Sequence, residues 1–181
     1  MKKLIVLAAC VGATAMAFGQ GQFNLNNRVT GSVDARVTNG AGDPLNGADG
    51  WVAQAYMSDA ENGSYSPIAD SMVTFRSSPV PAGLGYLNGG IKTVAGSDAG
   101  SSIWVKLYAW NTNDGASYEA AEAAFGSIGM SNGVQISLGG GTIITPDLVG
   151  LQGFSVAAVP EPSTLALGLL GIGALMLRRR R

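Results

Sequence analysis

Histidine is missing from this chain of 181 residues, and cysteine occurs once, at Cys10. Without histidine there is no Ser-His-Asp triad and no imidazole to bind a metal or move a proton near neutral pH. With a single cysteine so close to the start, the rest of the chain has no disulfide, no thiol nucleophile and no Cys/His zinc site. The glycine-rich stretches lack a Walker pattern, and none sets G-x-G-x-x-G after a strand, so nucleotide binding has no support. Charge is scarce at 13% of residues, and it is unevenly placed. Six of the eleven basic residues are Lys2, Lys3, Arg178, Arg179, Arg180 and Arg181. Residues 20–158 keep five basic residues against eleven acidic ones, a net charge of −6. Scattered single cations on an acidic body leave no footprint for nucleic acid or anionic lipid. A body of about 140 residues buries one core, so one domain is expected.

What is present reads as strands. Residues 23–27 alternate weakly, and 28–37 offer Val29, Val33 and Val37 among polar residues. Residues 39–50 carry turn chemistry: glycines, Pro44, Asn and Asp. Residues 51–57 form a good strand, with Trp51, Ala53, Ala55 and Met57 on one face and Val52, Gln54 and Tyr56 on the other. Residues 72–76 are short and β-prone, 83–90 are a glycine-rich connection, and 91–94 resume a strand. The strongest strand is 102–110. Ile103, Val105, Leu107 and Ala109 alternate with Trp104, Lys106, Tyr108 and Trp110, which predicts a central position with the aliphatic face in the core. Residues 117–125 are the one convincing helix, with Ser117 able to cap, Glu119 and Glu122 suited to its start, and several alanines. Residues 126–133 end it, 134–138 resume strand, and 143–144 and 153–157 are expected to close the fold. Seven to nine short strands with one helix predict an all-β antiparallel sandwich or jelly-roll-like body.

Three sets of residues are candidates for chemistry. Asp43, Asp49, Asp59, Glu61 and Asp114 lie in turns, where oxygen clusters can bind calcium. None has EF-hand spacing, turn formation accounts for them, and neither a cofactor nor a metal is expected. Glu119 and Glu122 are the only pair suggesting a carboxylate-dependent hydrolase, but adjacent turns of one helix are a poor setting for facing acid and base. Trp104, Tyr108 and Trp110 share a strand face and form a possible sugar platform, the alternative being packing beneath a second layer.

Both ends read as targeting segments. Residues 1–19 have a basic start, an apolar stretch from Leu4 to about Ala17, and small-residue cleavage sites at Ala15-Met16-Ala17 and Ala17-Phe18-Gly19, which predicts a secretory signal peptide. Leu7-Ala8-Ala9-Cys10 also reads as an early lipobox that would lipidate Cys10. At the other end, Val159-Pro160-Glu161-Pro162-Ser163-Thr164 precedes thirteen uncharged residues, 165–177, and then Arg178, Arg179, Arg180 and Arg181. The prolines fix φ and hold their predecessors extended. Thirteen residues rise about 20 Å as a helix, against a hydrocarbon core of about 30 Å. A short transmembrane helix over 163–177 follows if Ser163 and Thr164 are counted and the arginines snorkel to the cytoplasmic side as a stop.

The order of tripeptide, apolar segment and arginine cluster resembles the PEP-CTERM protein-sorting signal of Gram-negative bacteria. The resemblance covers about an eighth of the chain. It implies that an exosortase, a membrane-embedded cysteine transpeptidase, recognises Pro160, Glu161 and Pro162 and cuts nearby. The secretion machinery would be a partner, and an association with exopolysaccharide and biofilm is implied. The body, with Asn26-Asn27-Arg28-Val29, Tyr108-Ala109-Trp110, Tyr118-Glu119-Ala120-Ala121 and Asp147-Leu148-Val149-Gly150-Leu151, is similar to uncharacterised PEP-CTERM proteins of verrucomicrobial type. The expected protein has three parts: a signal peptide (1–19), a secreted β-rich body (20–158) and a sorting segment (159–181). It is expected to be exported and non-enzymatic. It would cross the inner membrane, held there transiently by the C-terminal helix, and end at the cell surface or in the extracellular matrix. A carbohydrate-binding module is the alternative.

Overall fold

The computed structural model describes residues 19–160. The signal-peptide residues Ala15 and Ala17, with Cys10, lie outside the described residues, as do Glu161, Pro162, Ser163, the apolar run and the four terminal arginines. Twelve strands and one helix follow in order: β1 (Gln20–Asn26), β2 (Arg28–Val29), β3 (Val33–Asp34), β4 (Val37–Asn39), β5 (Trp51–Ser58), β6 (Ser66–Pro67), β7 (Val73–Thr74), β8 (Asn88–Asp98), β9 (Ser102–Asn111), α1 (Tyr118–Ala123), β10 (Ser127–Met130), β11 (Val134–Ser137) and β12 (Phe154–Ala158).

The main sheet runs β4-β12-β10-β9-β5-β6. Its spine is the antiparallel pair β5–β9, in register from Trp51 opposite Asn111 to Ser58 opposite Trp104. Each side of this pair carries an interrupted neighbour. β6 and β7 both pair with β5, and β10 and β11 both pair with β9. A buried serine fills each interruption. Ser71 Oγ donates to the Ile68 carbonyl (2.7 Å) and lies 3.2 Å from both the nitrogen and the oxygen of Ala55. Ser131 Oγ accepts from the Leu107 N–H at 2.9 Å and donates to the Asn132 carbonyl. Each hydroxyl accepts from a strand N–H, that of Ala55 or of Leu107, where the neighbouring strand is interrupted.

One face of this sheet is aliphatic. Ala53 and Ala55 of β5 and Ile103, Val105, Leu107 and Ala109 of β9 are buried in one cluster with Phe23, Leu25 and Val94 of the β1–β8 pair. That two-stranded sheet is the second layer, so the alternation in β5 and β9 places its small and branched residues in the core, as expected. The opposite face is partly roofed by α1, whose Tyr118 and Ala121 bury against Val52, Tyr56 and Trp110. Ser117 caps the helix by accepting from the Ala120 N–H. A buried side chain, Asn27, ties distant loops together. Its Nδ2 donates to the carbonyls of Ala35 and Gly85, and its Oδ1 accepts from the Leu87 N–H.

The architecture is all-β with one short helix and a curled main sheet. Several details depart from the sequence reading. The expected strand 28–37 is three short pieces, because residues 30–32 turn and pair β2 with β3. β8 starts at Asn88, inside the stretch read as a connection, where a register shift accommodates Gly89 and Gly90. The stretch 126–133, read as a break, contains β10. Its Gly129 is required because a Cβ there would lie 2.6 Å from the Ser155 carbonyl oxygen of β12. Ile143 and Ile144 form no strand. Ile143 makes one bridge to Gly140, and Ile144 is 89% exposed. The β12–β4 pair is parallel, an exception to the antiparallel expectation.

Candidate functional site

β9 gives the molecule two poles, about 30 Å apart for ten extended residues. At the Ser102 pole, Gly19 packs against Gly141 and accepts from the Ala99 N–H, so the chain enters here. At the Trp110 pole, Ile128 of β10 lies opposite Trp110 and Ala157 of β12 lies opposite Ile128, so the chain leaves here. The exit is closely held. Ala158 pairs with Ser127, and the Val159 N–H donates to the Gly126 carbonyl at 3.1 Å. Pro160 has no N–H to continue the ladder. Val159 and Pro160 of the sorting motif therefore begin directly at the sheet, and the rest of the motif lies outside the described residues.

The proposed sugar platform is divided by α1. Trp110 is fully enclosed, and its Nε1 donates to the Gly115 carbonyl at 3.0 Å, so it offers no face to a ligand. Tyr108 is half-buried between Tyr56 (ring centroids 4.1 Å apart) and Tyr118 (4.7 Å, edge to face). Trp104, nearer the Ser102 pole, is half-buried as well. It is joined by residues that alternation along β9 did not reveal. The ring of Tyr65 lies 4.4 Å from Lys106 Nζ, and a Cβ on Gly133 would sit 3.0 Å from Tyr65 Oη and 3.3 Å from Trp104. Cross-strand register puts Ser58 opposite Trp104 on one side and exposed Gln135 opposite it on the other. A cavity of about 390 Å³ lies elsewhere, under residues 28–34, and one of about 310 Å³ opens beside Ser58 and Ser66.

The helix carboxylate has a structural partner. Tyr56 Oη donates to Glu119 at 2.8 Å. Burial works to raise the Glu119 pKa, but hydrogen bonds from its own backbone N–H, Tyr56 and Ser117 outweigh it and hold the group below the usual carboxylate value. A general acid needs the opposite shift. Burial pushes the Tyr56 hydroxyl up strongly, reinforced by the bond to Glu119. Burial, with Glu122 and Tyr108 adding, pushes Tyr118 up to about 12. Burial raises Tyr108 too, with Tyr65, Glu119 and Glu122 adding. These phenols keep their protons at neutral pH; Tyr56 acts as a donor, and all three are packing surfaces.

The turn acids serve their own loops. Asp43 accepts from the Asn39 side-chain amide, and its own N–H donates to Asn39 Oδ1; Asp114 Oδ2 accepts from the Ser127 N–H at 2.9 Å. The Asp49 carbonyl accepts from Asn111, and the Glu61 carbonyl accepts from Tyr65. Asp59 lines the cavity beside Ser58. Among the described residues, no three such side chains converge as metal ligands would, and no helix is long and apolar enough to cross a membrane.

Comparison with known proteins bears on the exit pole. Residues 158–181 match the PEP-CTERM protein-sorting motif. No curated protein matches the chain, and no solved structure does.

Proposed function

We propose that this chain is an exported protein sorted by an exosortase through residues 159–181, and that its body is a non-enzymatic component of the cell surface or extracellular matrix. The observation that carries the reading is the sorting motif over 158–181. In this reading residues 1–19 direct export, and the apolar segment holds the protein transiently in the inner membrane, with its arginines on the cytoplasmic side. The exosortase reads Pro160, Glu161 and Pro162. Association with exopolysaccharide belongs to the same reading. A non-catalytic body is supported by Glu119, whose carboxylate is committed to Tyr56 and shifted away from acid catalysis. The test is the intact mass of the protein recovered outside the cell. Loss of the apolar run and the terminal arginines is expected; a full C-terminus on the exported protein would refute processing. The same mass fixes the N-terminus as Phe18, Gln20 or a lipidated Cys10.

A second reading, a carbohydrate-binding module, is favoured by one feature, the incompletely buried Trp104 near Lys106 and Tyr65, towards the pole away from the exit. An indole face with neighbouring donors suits a sugar ring. Retention of the exported protein on polysaccharide columns, lost in Trp104→Ala, is the expected result. No retention across a broad glycan panel would dismiss it.

A further inference from the structure

Resting on the processing reading above, we infer that the cut falls on the C-terminal side of Pro160, and that the folded body sets this limit. A peptide entering a cleaving enzyme lies extended and offers its main-chain groups to the cleft. The groups of β12 are already engaged. Phe154, Ser155 and Val156 pair with β4 on one edge, and the pairing then passes to β10 on the other. Ala157 and Ala158 stay paired with Ile128 and Ser127, and the Val159 N–H is held by Gly126. Drawing these residues into a cleft would strip that ladder and pull on Val156, which is buried in the core.

Pro160 is the first residue beyond the ladder, and it brings no donor of its own. The sorting match begins at Ala158, the last residue of β12, so sheet and motif share Ala158 and Val159. The recognisable tripeptide begins where the sheet releases the chain. The Val159–Pro160 bond is also disfavoured, because its acyl residue is pinned and its nitrogen lies in the proline ring. The bond broken is therefore an amide C–N beyond Pro160. The acyl carbon kept by the body passes to water or to an amine acceptor, which loses a proton. The departing segment takes a proton on its new α-amino nitrogen.

Two measurements on the full-length chain test this. The C-terminal peptide of the exported protein, read by mass spectrometry, should end at Pro160 or a little beyond. A C-terminus at Val159 or earlier would overturn the inference and leave exosortase processing standing. An exported chain that still ends at Arg181 would remove the processing reading and the inference with it. Independently, detergent-solubilised full-length protein treated with proteinase K should yield a core whose C-terminus is Val159 or later. Products ending within residues 154–158 would show that the strand is not pinned, whatever the exosortase does.

Discussion

The two poles of β9 carry the same alternation and end with different degrees of burial. At the Trp110 pole the aromatic face is a second core: α1 covers it, Trp110 is fully enclosed, and tyrosines pack edge to face around Tyr118. Towards the Ser102 pole the same face is less enclosed: Trp104 is half-buried, and Tyr65, which packs against the edge of the roofed cluster, lies over Lys106. The chain enters at the Ser102 pole and leaves at the roofed one. If the exit pole is the one held at a membrane, the Trp104 patch is carried away from it. The lesson is that an alternating strand fixes which residues share a face, but only its neighbours decide whether that face is core or surface.

The largest expected contrast comes from truncating one tryptophan at each pole. Trp110→Ala empties a fully buried site and should cost about 3–5 kcal/mol, measured as a lower midpoint in urea unfolding of the exported protein. Trp104→Ala removes a half-buried side chain and should cost less, about 1–2 kcal/mol, in the same experiment. Equal losses would break the distinction between the poles.

A smaller effect should come from the tie between sheet and roof. Tyr56→Phe removes the donor to Glu119, and a hydrogen bond to a charged group contributes roughly 1.5–3 kcal/mol. The exposed position of Glu119 puts the expected loss below that range, read from the thermal midpoint. The tyrosines beneath the roof should also make the fold sensitive to alkali. Tyr56, Tyr108 and Tyr118 have folded pKa values raised above the ordinary 10.0. The unfolded phenols ionise first. Their stabilising share is thus complete below pH 10 and is lost as pH rises towards the folded values, about 12 for Tyr118. Thermal midpoints followed with phenolate absorbance should fall together above pH 10. A flat profile would argue that the tyrosine cluster is open to water. Glu119 works in the other direction: its lowered pKa adds stability above its unfolded value, and that share is lost on acidification through the folded value.

Much of this was legible beforehand. β5, β9 and β11 lie close to where alternation placed them, and the aliphatic faces of β5 and β9 are the core. Ser117 caps α1 as its position suggested, because capping needs only a local oxygen and a local N–H. What was misread depended on distant partners. Residues 126–133 looked like a break because Gly126, Gly129 and Gly133 punctuate them, yet Gly129 is the close-approach site against β12. Ile143 and Ile144 looked like a strand, but the positive φ of Gly140 and Gly141 turns the chain beside them. Tyr65 escaped notice because no periodicity links a loop residue to Lys106.

The sequence by itself determined the address, the acidity of the body and the exclusion of histidine and thiol chemistry. A sorting motif is read as a linear peptide, so its order along the chain is its meaning. The tertiary structure decided which aromatics are core and which are surface, and how near the sheet the motif begins. Those outcomes depend on where α1 packs across β9 and on the ladder between β10 and β12, contacts between segments that have no common local pattern.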